Sequence, residues 1–316
     1  MNRPDLASAI RRLDYYIRGV AAEIVPHAYF ARRLQHLRQD LDRLSADPEL
    51  LARVDYCNKL TVGELHPIDA ERQPTPWDGS RYYYDFMETR RFFDPSLRCR
   101  VLFGDVRHIP DQPTIVKSRP IDGDNRNSIL LKLDRLRHFK LHDDPYAFEE
   151  KQPLAVWRGN VQTLPWRQRL VERHYDNPRC DVGPAPQAYG RFAAKPYLSP
   201  IDQMRYRYIL SIEGNDVATN LKWIMASNSL CLMPRPRFET WFLEGRLIAG
   251  THYVELRPDY EDLDEKIDHY EKNPAEAKAL VANANAYVRQ FLDHRQEKLV
   301  QLLVLEKYFK STGQLP

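Results

Sequence analysis

Cysteine is scarce in this chain, and what there is stands apart. Cys57, Cys99, Cys180 and Cys231 form no CxxC pair, which argues against metal ligation and against a disulfide framework. Cys231, within SLCLM, reads as a core thiol, and a reducing compartment is expected. An excess of one charge sign is also missing. Lys and Arg total 47 against 44 Asp and Glu, a net +3. That is too little to argue for nucleic acid, but it leaves room for a locally basic cleft that takes a phosphorylated ligand. Long hydrophobic runs are absent. No window approaches the roughly 18 apolar residues of a spanning helix, and the opening residues MNRPDLASAIRRLDYYIRGV hold no apolar signal core. A soluble, cytoplasmic protein is expected, with peripheral membrane contact left open. There is no GxxxxGKS/T phosphate loop and no GxSxG nucleophile elbow. Neither a P-loop kinase nor a Ser-His-Asp hydrolase is therefore supported. No internal repeat and no low-complexity tract is present.

What is there is a globular composition, 43% hydrophobic and 29% charged over 316 residues. That length predicts two domains. The polar, proline-bounded stretch LHDDPYAFEEKQP at 141–153 places the boundary, giving 1–150 and 151–316. Residues 4–55 predict two or three helices. Leu6, Ile10, Leu13 and Ile17 recur at helical spacing, as do Leu34, Leu37, Leu41 and Leu44. The arginines between them read as a solvated face, or as a basic surface for acidic headgroups or a phosphorylated acceptor. WDGSRYYYDF predicts an ordered loop or a short strand pair. Its tyrosines pack, or stack on sugar rings. Strands are expected in RVLFGDVRHIP, TIVKSRP and SILLKL, with IDGDNRNS as a loop whose Asp and Asn side chains are free for chemistry. LAVWRGN predicts a strand, PWRQRLVERHY a basic helix with Pro165 near its first turn, CDVG a strand, and SPIDQMRY a short helix capped by Ser199. EDLDEKIDHYEKN predicts an amphipathic helix. A last helix over about 274–311 carries Leu280, Ala284, Tyr287, Val288, Phe291, Leu299 and Leu303 on one side, long enough to return to the first domain.

The stretch 206–257 organises the rest. YRYILSI, SLCLM and HYVEL predict buried strands, DVATNLKWIMAS predicts a helix, and PRPRFETWFLEG predicts a loop and a further helix. That alternation suits a parallel α/β sheet. Its glycine turn, EGND, lies where such sheets bind anionic ligands.

Taken in order, VKSRPIDGDNRNS, VWRGN, YRYILSIEGNDVATNLKWIMASNSLCLMPRPRFETWFLEG and HYVEL resemble glycosyltransferase family 90. The resemblance covers about 98–270. The family includes capsule-associated transferases, protein O-glucosyltransferases and LpsA-like lipopolysaccharide-core transferases. It implies an α/β, GT-B-like fold: two Rossmann-like domains facing a cleft, with helices at the N-terminus and a long one at the C-terminus. The first domain would present the acceptor and the second a UDP-sugar. It further implies an inverting, metal-independent hexose transfer to a saccharide or lipopolysaccharide-core acceptor. No cofactor is expected beyond the UDP-sugar donor, and no nucleic-acid partner. Without a retention tetrapeptide in STGQLP, the chain resembles the bacterial branch, working in the cytoplasm or at the inner face of the inner membrane.

Inverting transfer needs a base for the acceptor hydroxyl and positive charge for the departing diphosphate. The family-like motif makes Asp124 the candidate base, with Asp122 as close competitor. The same DGD reads alternatively as a metal-binding Asp-x-Asp of a GT-A enzyme. A non-catalytic nucleotide- or saccharide-binding protein on this scaffold is a second alternative. For the donor, Arg158 at a strand end forks onto diphosphate, Gly159 allows close approach, and Asn160 adds hydrogen bonds. Gly214 frees the turn, and Asn215 or Asp216 caps the helix. The amides of Val217, Ala218 and Thr219 point at phosphate or ribose, with Asn220 and Lys222 in the first turns. Animal members carry an arginine near Asn220, so Arg158 and Lys222 are left to share the charge. Glu239 is preferred to Glu244 for the ribose, because it precedes the expected helix.

Overall fold

The computed structural model of the chain describes residues 6–69 and 73–316. The start of the first expected helix, at residues 4 and 5, lies outside the described residues. In chain order the helices are α1 (Leu6–Glu23), α2 (His27–Ser45), α3 (Pro48–Cys57), α4 (Ser80–Arg90), α5 (Arg135–His138), α6 (Pro165–His174), α7 (Pro200–Gln203), α8 (Leu221–Met225), α9 (Leu263–Lys272), α10 (Pro274–Arg289) and α11 (His294–Ser311). The strands are β1 (Val101–Leu102), β2 (Thr114–Val116), β3 (Ser118–Pro120), β4 (Ser128–Leu130), β5 (Gln152–Gly159), β6 (Cys180–Pro184), β7 (Tyr206–Leu210), β8 (Leu230–Met233), β9 (Phe238–Thr240) and β10 (Val254–Glu255). Two compact units result: Met1–Leu136 with Asp293–Pro316, and Arg137–Leu292.

In the first unit, β1, β2 and β4 form a small parallel sheet in the order β1-β2-β4. Helix α11 packs on α2, α3 and α4 and is buried round most of its circumference, from Leu299 and Val300 to Tyr308 and Phe309. Its Glu297 is buried with it. That carboxylate meets Arg53 of α3 at 2.5 Å and Lys132 at 2.6 Å. Burial pushes the Lys132 ammonium below the ordinary lysine value, and the Glu297 charge opposes that shift. The expected single helix over 274–311 is two. The chain breaks after Arg289, and Asp293 starts α11 by accepting the amides of Arg295 and Gln296.

Two further expectations for this unit change. WDGSRYYYDF is mostly helix α4. Thr75 and Asp78 cap a 3-10 turn ahead of it, and Tyr83, Phe86 and Arg90 recur on one buried face. Burial on a helical period overrides the strand preference of the tyrosines. In α1 the apolar side faces outward: Ile10, Leu13 and Ile17 are all more than half exposed. The helix is held instead by its opposite side. Tyr15 donates to the Asp85 carboxylate at 2.9 Å, and Gly19 lies so close to the Tyr84 ring that a Cβ there would sit 2.7 Å from it.

The second unit carries a five-stranded, wholly parallel sheet in the order β10-β8-β7-β5-β6. Its central strands are buried on both faces, Ala155–Trp157 in β5, Tyr208–Leu210 in β7 and all of β8, as helix-covered parallel sheets require. The expected strands at 206–212, 229–233 and 252–256 are β7, β8 and β10. Serine 199 caps α7 as expected. The helix expected over DVATNLKWIMAS is only the five residues of α8. No helix follows PRPR. The chain there forms β9 and then a 3-10 turn, Glu244–Arg246, entered through Leu243 at φ +57°.

Replacing Glu297 by Ala removes the carboxylate that Arg53 and Lys132 share in the interior. The expected cost is about 3–5 kcal/mol, read from urea unfolding. A loss below about 1 kcal/mol, the range of an exposed pair, would contradict this reading of the triad.

Candidate active site

The strand order of the second unit reverses at β5. Its sequence successor β6 lies on one side and β7 on the other. Chain segments leaving the carboxyl ends of β5 and β7 therefore diverge, and an open α/β sheet forms its ligand crevice at such a point. A cleft of about 360 Å³ opens there. Its walls are the segments that follow β7 (Ser211, Ile212, Glu213), β8 (Pro234–Phe238) and β10 (Pro258, Tyr260), together with Pro165, Trp166 and Arg169 at the start of α6. Val217, Ala218, Leu221 and Met233 give it an apolar floor.

One arginine closes the switch point from behind. Arg167 donates to the carbonyls of Ile212 at 2.8 Å and Glu213 at 2.9 Å, and to that of Asn160 at 3.1 Å. It thereby joins the ends of β7 and β5. Its guanidinium lies 5.5 Å over the Trp157 ring, and burial pushes its pKa down to about 10. Trp166 adds a bond from its indole N–H to the same Glu213 carbonyl, at 2.8 Å. The Glu213 carboxylate faces the other way. It accepts the amide of Arg237 at 2.8 Å, that of Phe238 at 3.3 Å, and Arg237 Nε at 2.7 Å. Burial raises the Glu213 carboxyl above its ordinary range, and the N–H groups of Arg237 pull it back. Held in this way, the Arg237 guanidinium stacks 4.4 Å from the Trp166 ring centre. The cleft thus has an aromatic–guanidinium wall with exposed Arg235 and Arg237 on it. Glu244 also lines it. That carboxylate is buried, pairs with Lys222 Nζ at 2.6 Å, and accepts the Thr240 amide at 2.6 Å.

The residues singled out from sequence are distributed unevenly about this cleft. Val217 and Ala218 line it, although their amides precede α8 and are not its first turn. Arg158 is turned into the sheet edge. It grips the Asp181 carboxylate at 2.7 and 2.8 Å and donates to the carbonyls of Asp181, Trp157 and Pro196. Each of its N–H groups is committed. Gly159 abuts Trp157, where a Cβ would stand 2.6 Å from the ring, and Asn160 caps the amide of Gln162. Gly214 and Thr219 are half-buried, and Asn215 is exposed. Asn220 ties α8 to the end of β7, donating to the Leu210 carbonyl at 3.1 Å. Lys222 is held by Glu244, and Glu239 is buried beside the Gly245 amide, away from the cleft lining.

Asp122 and Asp124 belong to the first unit and are both exposed. Their loop is fixed by Asn125, which donates to the Pro120 carbonyl at 2.8 Å and accepts Lys59 Nζ at 2.7 Å. Gly123 sits at φ +89°, a conformation that favours glycine. Arg126 pairs with Asp124 at 2.8 Å, and that hydrogen bond holds the Asp124 carboxyl below its ordinary range. Among the described residues, the ligand atoms of His174, Cys180 and Asp264 converge as a metal site would need. Both ring nitrogens of His174 are engaged, however: Nε2–H donates to the Tyr260 carbonyl and Nδ1 accepts from Asn177.

Sequence reasoning missed Arg167, Trp166 and Glu213. Arg167 and Trp166 act by bonding carbonyls at strand ends, and Glu213 supplies one of those carbonyls and the acceptor for Arg237, none of which a helical repeat reveals.

The family model described as Glycosyl transferase family 90 matches residues 134–311. The chain is 44% identical over 312 residues to O-glucosyltransferase LpsA of Dichelobacter nodosus, covering 94% of this chain and 95% of that protein. It is 26% identical over 116 residues to Protein O-glucosyltransferase 3 of Homo sapiens, covering 36% of this chain and 22% of that one. The counterpart in Rattus norvegicus is 28% identical over 108 residues, 34% and 21% of the two chains. These matches define a glycosyltransferase, an enzyme that moves a sugar from a donor to an acceptor. The chain belongs to glycosyl transferase family 90.

Burial pushes the Asp181 carboxyl up, but hydrogen bonds from Arg158 and Tyr206 outweigh it and leave it below the ordinary range. A lowered native pKa contributes stability above the unfolded value and loses it as pH falls through the native one. Asp181→Asn is therefore expected to cost stability at neutral pH and progressively less in acid. Melting curves across that range check it, and a cost that does not change with pH would contradict it.

Proposed function

We propose that the protein is an inverting, metal-independent glycosyltransferase that moves a hexose, most simply glucose, from a UDP-sugar to a saccharide acceptor. A surface glycan such as the lipopolysaccharide core is the acceptor class we assign, and glucose is the sugar in the relatives' names. The observation that carries the reading is the switch-point cleft. Its apolar floor and the Trp166 ring suit a flat base, the Glu244 carboxylate suits a ribose diol, and Arg169, Arg235 and Arg237 supply charge for a diphosphate. Three guanidinium groups give the leaving group a protein counter-charge, which supports a mechanism without a metal. Glu244 takes the ribose role first assigned to Glu239, since it reaches the cleft. Arg158 and Lys222 then serve the donor indirectly, by holding Asp181 and Glu244.

In this reading the second unit binds the donor and the first provides the base, a GT-B arrangement. The acceptor hydroxyl oxygen attacks the anomeric carbon as the bond to the β-phosphate oxygen breaks. The hydroxyl proton passes to Asp124, and the electron pair leaves with UDP. Backside displacement inverts the anomeric centre. Arg126 keeps Asp124 ionised and ready to accept the proton.

Asp124→Asn is expected to abolish transfer while UDP still binds. Undiminished turnover would move the role to Asp122 or elsewhere. Arg126→Ala removes the bond that lowers the Asp124 pKa, so the acidic limb of kcat/KM should move to higher pH. An unmoved limb would remove Asp124 from the base role. Trp166→Ala should weaken UDP binding by about tenfold, the worth of an aromatic stack, in calorimetry. Full activity in EDTA is expected, and its loss would favour a metal held at Asp122 and Asp124.

A further inference from the structure

Helix α1 turns its apolar side to the outside. Ile10, Leu13, Ile17, Val20 and Ile24, which follows the helix, are between 56% and 84% exposed. Their spacing of three and four residues keeps them on one narrow stripe. The opposite side, with Tyr15 and Gly19, is the one anchored to α4. A stripe of five large aliphatic side chains in water is a costly arrangement that calls for a partner.

The charge around the stripe says which partner. Arg11, Arg12 and Arg18 on α1 are all exposed. Arg11 and Arg12 have no acidic partner among the described residues, whereas the acids of α1 are engaged. Asp14 is paired with Arg18, and Glu23 with Arg91 and the Tyr83 hydroxyl. The occupant must therefore be apolar within and anionic at its surface. A second copy seated on the same stripe would bring arginines to arginines. No helix among the described residues is long and apolar enough to cross a membrane, so α1 would lie on a bilayer and not span it.

We propose that α1 is an interfacial helix that docks the protein on an anionic lipid surface, with the Ile10–Ile24 stripe entering the headgroup boundary and the arginines meeting lipid phosphates. This goes beyond the donor reading and does not rest on it, because lipid binding is measured without donor or acceptor.

The test is flotation of the full chain with vesicles of phosphatidylcholine alone, and with about 30 mol % phosphatidylglycerol added. The wild type should float with the anionic vesicles only and detach as salt rises. Leu13→Asp with Ile17→Asp should weaken this by about tenfold or more, as should Arg11→Glu with Arg12→Glu. Thermal melts should be unchanged in both variants, since these side chains are exposed. Equal binding to both vesicle types, or binding to neither, would overturn the proposal. So would a lipid-free dimer, seen by light scattering, that the Leu13→Asp and Ile17→Asp variant dissociates, because a second copy would then cover the stripe.

Discussion

The second unit depends on how the chain ends β7. Where the strand order reverses, the carbonyls of Ile212 and Glu213 have no neighbouring strand to bond, and buried backbone groups must be paired. Arg167 and Trp166 supply the donors. Because both come from the first turn of α6, the same bonds that satisfy β7 also fix where that helix begins. The Glu213 carboxylate is then aimed at Arg237, and Arg237 is laid on Trp166. A requirement of the backbone thus sets the shape and charge of the cleft wall.

The arginines of this chain divide by what they are bonded to. Arg158 on β5 and Arg167 on α6 both spend their guanidinium groups on bonds within the protein. They position, and the exposed guanidinium groups on the rim are the ones available to a ligand. Buried charge elsewhere follows the same rule. Lys222 meets Glu244, and Glu297 meets Arg53 and Lys132. Such pairs contribute little over an apolar replacement, but losing one member is costly. They are best understood as fixing which geometry the unit adopts.

Much of the fold could be read from the sequence, for a definite reason. YRYILSI, SLCLM and HYVEL are apolar runs too short for helices, and strands buried on both faces must look like that. The mixed α/β class followed from their alternation with helical segments. Periodicity was less informative where a side chain had two uses. Asn220 bonds the end of β7, and α8 starts only after it. The tyrosines of WDGSRYYYDF have strand preference but lie on a helix whose buried face includes Asp85 and Arg90. In α1 the spacing was right and the direction wrong, since period alone does not say which face meets the core.

The site was less legible than the fold. Arg158 looked free because its partner, Asp181, comes 23 residues later on a neighbouring strand. Glu239 was preferred to Glu244 on the strength of a helix that does not form. DGDN is a loop, as its composition predicts, but its tether through Asn125 and Lys59 joins residues 66 apart. The central claim is that the donor sits against the Trp166–Arg237 wall. Amide hydrogen exchange with and without UDP tests this most directly. Protection is expected over 211–218 and 233–238, and protection confined to 155–160 and 180–184, around Arg158, would contradict it.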